Sequence, residues 1–114
     1  MAVTETTDSL LFLQVAENDM VILKYDTLTG GSICEEFIPL YLSMSEDPKY
    51  NNIIFLTIDA EENPVAKRRI LDKKQPVITI YSKGRIQDSR HTSTREGVEE
   101  LLNNLLLLGL LSRE

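Results

Sequence analysis

The chain has 114 residues, of which 42% are hydrophobic and 26% charged, and its net charge is −6. This length suits one domain with a single core, and the composition is that of a globular protein and not of a disordered one. An acidic chain is not expected to bind nucleic acid, and one cysteine excludes an internal disulfide. We therefore expect a single domain over residues 1–114, in a reducing compartment such as the cytoplasm.

Neither end of the chain predicts a membrane segment. Residues 1–8 are polar and acidic, unlike a secretory leader, and the apolar run Leu105 to Leu111 is much shorter than the roughly 20 residues that span a bilayer. The charge is uneven, because residues 1–62 carry 12 acidic and 2 basic side chains, whereas residues 63–114 carry 6 and 10. We interpret this as uneven solvated faces; the alternative is a dipolar surface that orients a partner or a second copy.

The first elements are a short helix and a buried strand. Residues 1–7 form either a short edge strand or no regular structure. Thr7-Asp8-Ser9 offers cap residues for a helix that ends near residues 17–19. The apolar run Met20 to Leu23 then predicts a strand covered on both sheet faces.

The stretch from Thr29 to Pro39 predicts a tight turn that opens a helix. Gly30 and Gly31 allow the backbone to bend, and Ser32 can cap the first turn, which contains Cys34. A proline inside the helix removes one backbone hydrogen bond and kinks the axis. Apolar residues at helical spacing extend the predicted helix from Ser32 to about Met44.

The second half predicts a strand, a helix, a hairpin and a last helix. Residues 52–58 are the most strand-like stretch, which we place in the sheet centre. Asn63-Pro64 predicts a helix start with Asn63 as its cap, and this helix continues to about Leu71. Its basic residues Lys67, Arg68 and Arg69, with Lys73 and Lys74, are interpreted as solvated; the alternative is a site for an anionic partner. Residues 77–81 and 86–91 predict a hairpin that turns at Gly84, and Thr92-Ser93-Thr94 caps the last helix.

This order of elements resembles a thioredoxin domain over residues 8–106. Cys34 matches the second cysteine of the family's Cys-x-x-Cys motif, and Pro39 matches its helix-kinking proline. Asp59 with Asn63-Pro64 looks like the segment after the family's central strand, and Gly84 like its hairpin glycine. The resemblance implies an α/β thioredoxin-like fold, a mixed central sheet flanked by helices on both faces. It also implies that Pro76 is the cis-proline facing the active site.

The chain departs from the family pattern at the positions that the family uses for its redox chemistry. Gly31 stands in the place of the first cysteine, and the chain has no tryptophan. The family's buried strand carboxylate is replaced by Lys24, or by Tyr25 if the loop carries no insertion. The glycine expected after the last strand is replaced within residues 91–93. Dithiol exchange needs an exposed thiolate and a second thiol that resolves the mixed disulfide, so we expect no dithiol oxidoreductase activity.

The resemblance favours a degenerate thioredoxin-like protein that acts as a binding module for protein or extended peptide. The expected binding groove consists of Gly30, Gly31, Ser32, Ile33, Gln75 and Pro76. The alternative is a monothiol redox protein in which Cys34 forms mixed disulfides. No cofactor is expected, and one cysteine with one histidine, His91, does not predict a metal site.

The C-terminal leucines predict a further contact. Leu105 to Leu108 occupy four consecutive helical positions, about 100° apart, so they cannot all face one core. Gly109 is expected to end the helix. Either the tail folds back on its own domain, or Leu107, Leu108, Leu110 and Leu111 bury against a second copy in a homodimer.

Overall fold

The computed structural model describes residues 3–26, 31–60, 62–70, 77–91 and 94–111, without the side chains of residues 26, 31–36, 69, 70, 91, 110 and 111. The strands in this part of the chain are β1 (Thr4–Thr6), β2 (Met20–Asp26), β3 (Ile54–Asp59), β4 (Val77–Ser82) and β5 (Arg85–His91). The helices are α1 (Asp8–Glu17), α2 (Gly31–Ser45), α3 (Pro64–Ile70) and α4 (Arg95–Leu111), and one 3₁₀ turn spans Pro48–Tyr50.

The strands form one mixed sheet in the order β1-β3-β2-β4-β5. β1 and β2 each run parallel to β3, and β4 runs antiparallel to both β2 and β5. The mixed sheet and the short N-terminal edge strand are therefore confirmed. β3 is an interior strand, but the prediction that it lies at the centre is wrong. β2 is the central strand, because β1 pairs with β3 on the side away from β2. Both strands are apolar runs, so the sequence alone does not show which of them is central.

Helices cover both faces of the sheet, as expected. On one face Ile22, Ile78 and Ile80 pack in a core that includes Phe37 and Tyr41 of α2 and the buried residues of α4, which are Val98, Leu101, Leu102 and Leu105. On the other face β2, β3 and β4 pack in a second core with residues of α1 and with Ala66 of α3. Alternate residues of each strand supply the two cores, so one sheet separates them.

α2 agrees closely with its prediction, and α4 does not. α2 contains Pro39, as predicted, and buries Phe37, Tyr41 and Met44 at helical spacing. α4 passes through Gly109 and ends at Leu111, so the prediction that this glycine ends the helix is wrong. A Cβ at this position would lie 3.0 Å from Sδ of Met20, so a glycine here lets α4 approach β2 closely.

α3 begins at Pro64, as predicted, but its cap comes from another helix. The carboxylate of Asp8 accepts hydrogen bonds from the backbone N–H groups of Val65 (3.0 Å) and Ala66 (3.2 Å). The Asn63 side chain, which we predicted as the cap, instead accepts from the Asp8 N–H (2.9 Å) and donates to the Asp59 carbonyl (2.8 Å). The first turns of α1 and α3 are therefore joined by reciprocal hydrogen bonds that sequence spacing cannot reveal.

The predicted hairpin joins β4 to β5 through Lys83 and Gly84. Both residues have positive φ, 52° and 84°, as a two-residue turn between twisted strands requires. β5 forms the second edge of the sheet, and its pairing with β4 is shifted between Ile80 and Tyr81. Of the helices described, none is both long enough and apolar enough to cross a membrane.

Candidate functional site

The two predicted segments of the binding groove adjoin strand ends that meet at one end of the sheet. Tyr25, near the end of β2, pairs with Val77, the first residue of β4. The chain therefore leaves β2 toward α2 at the same end of the sheet where it enters β4. Gly30, Gln75 and Pro76 lie outside the described residues, and the predicted cis bond before Pro76 stays a prediction.

The remaining groove residues belong to the first turn of α2. Gly31, Ser32, Ile33 and Cys34 are helical, and their side chains lie outside the described residues. The first N–H groups of a helix have no partner within it, and the helix dipole adds partial positive charge there. This turn can therefore present backbone donors to an acceptor such as a peptide carbonyl.

Lys24 lies under α2 and is almost completely buried. Its side chain is on the sheet face that α2 covers, with Nζ 5.6 Å from the centre of the Tyr41 ring, and the residue is only 3% exposed. Tyr25 lies in the core on the opposite face. Of the two residues that we predicted for the place of the family's buried carboxylate, Lys24 is thus the one that faces α2. The interior under this helix holds an amine where the family pattern has a carboxyl group.

Tyr41 fixes α2 to the two strands beneath it. Its hydroxyl lies 2.8 Å from the carbonyl oxygen of Leu56 in β3 and 3.1 Å from that of Ile22 in β2, and it donates to them. The ring packs edge-on against Phe55, with centroids 5.4 Å apart. These contacts hold the middle of α2 against the sheet and so define where its first turn lies.

Of the four predicted self-association residues, the structure describes the side chains of two. Leu107 is 56% exposed and Leu108 is half-buried. Leu110 and Leu111 are helical, and their side chains lie outside the described residues. Across the described residues, no three His, Cys, Asp or Glu side chains converge to hold a metal ion.

Sequence reasoning missed an apolar groove beside α1. This α1 groove, of about 280 Å³, lies between α1, the start of α3 and the β4–β5 hairpin, and its lining includes Leu11, Val15, Tyr25, Tyr81 and Ile86. Phe12 stands at its edge with 75% of its surface exposed. The signal was the run of four apolar residues at positions 10–13, which cannot all face one core. We applied that reasoning only to the C-terminal leucines.

Three solved structures resemble the chain over nearly its whole length. Plasmodium falciparum thioredoxin superposes with a TM-score of 0.78 at 18% identity, covering 90% of this chain and 98% of that one. The short form of thioredoxin f from spinach chloroplast gives 0.79 at 20% identity, with 91% and 93% covered. Mitochondrial thioredoxin 3 from Saccharomyces cerevisiae gives 0.78 at 15% identity, with 90% and 95% covered.

The sequence itself matches no protein-family model and no curated protein. The similarity to solved structures is therefore one of fold, and the chain has the thioredoxin fold that its element order predicted. On that fold, Gly31 begins α2 and Lys24 lies buried beneath it.

Proposed function

We propose that this thioredoxin-like protein binds protein or an extended polypeptide and does not catalyse dithiol–disulfide exchange. The single cysteine carries this proposal. Exchange proceeds through a mixed disulfide that a second thiol must resolve, and Gly31 stands where the first thiol of the motif would be. The chain therefore lacks one of the two thiols that catalysis requires.

The binding site in this proposal is the groove formed by Gly30, Gly31, Ser32, Ile33, Gln75 and Pro76. Its support is the meeting of the ends of β2 and β4 at one end of the sheet, where Tyr25 pairs with Val77. Ligands of open α/β sheets bind preferentially beyond the carboxyl ends of strands, and the end of β2 here is a carboxyl end. A glycine at position 31 leaves room for a polypeptide backbone to approach the first turn of α2.

Lys24 supports the loss of redox chemistry independently. The side chain buried beneath α2 is an amine, and the resemblance implies a carboxyl group at this place in the redox-active family. The second candidate function is that of a monothiol redox protein, and it rests on Cys34 alone. For either function, we propose that the protein is located in the cytoplasm.

Insulin reduction coupled to dithiothreitol tests the absence of catalysis. We expect the wild-type chain and Cys34→Ala to give the same rate as dithiothreitol alone. A wild-type rate above that of Cys34→Ala would contradict the proposal. Titration of the native thiol with glutathione disulfide separates the second candidate, because a monothiol redox protein forms a stoichiometric mixed disulfide at Cys34.

Binding is tested with a displayed library of random twelve-residue peptides as the probe. We expect a selected peptide to shift the amide resonances of residues 30–33 and of Val77. Gly31→Arg should abolish its binding, whereas Ser43→Arg, an exposed change near the other end of α2, should not. Shifts confined to another surface, or binding that survives Gly31→Arg, would contradict the proposed groove.

A further inference from the structure

At the amino end of β2, Met20 packs directly against the backbone of α4. A Cβ atom at position 109 would lie 3.0 Å from Sδ of Met20, 3.8 Å from its Cε and 3.9 Å from its Cγ. Only glycine accommodates this approach without a shift of the Met20 side chain. Glycine is a poor helix former, so the contact gives a physical reason for Gly109 within α4.

The last turns of α4 are held on the sheet by partly buried residues. Among the described side chains, Leu105 is the last residue of α4 that is fully buried, and Leu106 and Leu108 are half-buried. Leu106 and Met20 both pack against the core beneath α2 as partly buried residues. Beyond Leu105, Met20 therefore supplies a contact through which β2 holds the end of α4.

We propose that Met20 is a site of reversible oxidation, and that its oxidation releases the C-terminal end of α4 from β2. Hydrogen peroxide transfers one oxygen atom to the thioether: the O–O bond breaks, an S–O bond forms, sulfur is oxidised by two electrons and water leaves. Methionine sulfoxide reductases regenerate the thioether with thiols as the reductant. The site lies at the opposite end of β2 from the proposed peptide groove and does not depend on it.

Exposure distinguishes Met20 from Met44, the other methionine whose side chain the structure describes. Met20 is half-buried, so a small peroxide can reach it from solvent. Met44 is fully buried in the core between α2 and the sheet. We therefore expect Met20 to oxidise in the folded protein, and Met44 to oxidise only after unfolding.

The sulfoxide is not compatible with the contact at Gly109. Oxidation converts a flexible apolar side chain into a polar one whose oxygen accepts hydrogen bonds. The N–H groups in the last turns of α4 donate to carbonyl groups four residues earlier, so this part of the helix offers the oxygen no donor. An acceptor without a donor is costly to bury. The oxidised side chain therefore turns towards water, and the last turns of α4 lose their contact with β2.

Treatment of the full chain with hydrogen peroxide, followed by peptide mapping and amide hydrogen exchange, tests the proposal. We expect one added oxygen at Met20 and none at Met44. Exchange at the amides of residues 106–111 should become at least about fivefold faster, because the contact that protects them is lost. Exchange in α1, on the other face of the sheet, should stay the same. A methionine sulfoxide reductase should restore the original rates.

Two substitutions at Met20 separate the oxidation from its consequence. Met20→Leu keeps an apolar side chain of similar size without sulfur, so peroxide should leave exchange at residues 106–111 unchanged in this variant. Met20→Gln places a polar amide at the same site and should accelerate that exchange without any oxidant. The proposal is overturned if Met20 resists peroxide in the folded protein, or if its sulfoxide forms while exchange at residues 106–111 stays the same. A Met20→Leu variant that responds to peroxide as the wild type does would overturn it as well.

Discussion

Two tyrosines in the same core differ in whether their hydroxyl groups are hydrogen-bonded. Both Tyr41 and Tyr50 are buried to 2% exposure or less, and both rings pack near Phe55. The Tyr41 hydroxyl donates to carbonyl groups of two strands, whereas the Tyr50 hydroxyl has no hydrogen-bond partner in the described part of the chain. Removing each hydroxyl in turn therefore measures how much the hydrogen bonds of Tyr41 contribute to stability.

We predict that Tyr41→Phe lowers the free energy of unfolding by about 1 kcal/mol, the usual net contribution of a buried hydrogen bond. Tyr50→Phe should change it by less than about 0.5 kcal/mol or raise it, because the lost hydroxyl was buried without a partner. Lys49 keeps its contact with the ring in this variant, since Nζ lies over the ring face, 5.4 Å from its centre. Urea unfolding followed by circular dichroism measures both values. Equal losses in the two variants would contradict the assignment.

Among the elements, α1 and α3 depend on one another at their first turns. α3 has only seven residues, too few to be stable as an isolated helix. The Asp8 carboxylate satisfies two of its first N–H groups, and α1 in turn uses Thr7 as its own cap, whose hydroxyl accepts from the Leu10 N–H at 3.2 Å. One acidic side chain at the start of α1 thus stabilises a helix more than fifty residues further along the chain.

We predict that Asp8→Ala lowers the free energy of unfolding by about 1–2 kcal/mol, as the loss of a helix cap does. Asp8→Asn should cost less, because its amide oxygen can still accept one of the two hydrogen bonds. Ser9→Ala is the control at the next position and should change stability by less than about 0.5 kcal/mol. Amide hydrogen exchange should be faster at both Val65 and Ala66 in Asp8→Ala, at one of them in Asp8→Asn and at neither in Ser9→Ala. Unchanged protection at these two amides would argue against the cap.

At the scale of the whole molecule, two apolar cores share one sheet. Leu102 of α4 lies in the core beneath α2, and Leu56 of β3 lies in the core beneath α1 and α3; both are fully buried. β2 and β4 contribute residues to both cores, so neither core can lose its packing while the sheet stays intact. The single domain over residues 1–114 stays a prediction, and the cooperativity of unfolding tests it.

We predict that Leu56→Ala and Leu102→Ala each lower the free energy of unfolding by about 2–5 kcal/mol, the cost of removing buried methyl groups and leaving a cavity. In each variant, far-UV circular dichroism and the near-UV tyrosine signal should report the same unfolding midpoint, because one cooperative unit unfolds. Different midpoints for the two probes would mean that the two cores unfold separately and that the single-domain expectation is wrong.

The elements were predictable because their signals are local. The cap at Thr7, the proline at the start of α3 and the two-residue turn at Gly84 each depend on backbone geometry within a few residues. Helix and strand periodicity likewise involves only near neighbours in the chain. The order of elements was then enough to predict the thioredoxin fold, even without a sequence relative that matches.

The sequence by itself determined the elements, their order and the lack of a second thiol, because each is a property of residues close together in the chain or of the composition. Only the tertiary structure decided that β2 is the central strand and that Lys24, not Tyr25, lies beneath α2. It also decided that Gly109 continues a helix against Met20 and that Asp8 caps α3. Each of these depends on a contact between residues far apart in sequence, and local propensity contains no information about which distant surfaces meet.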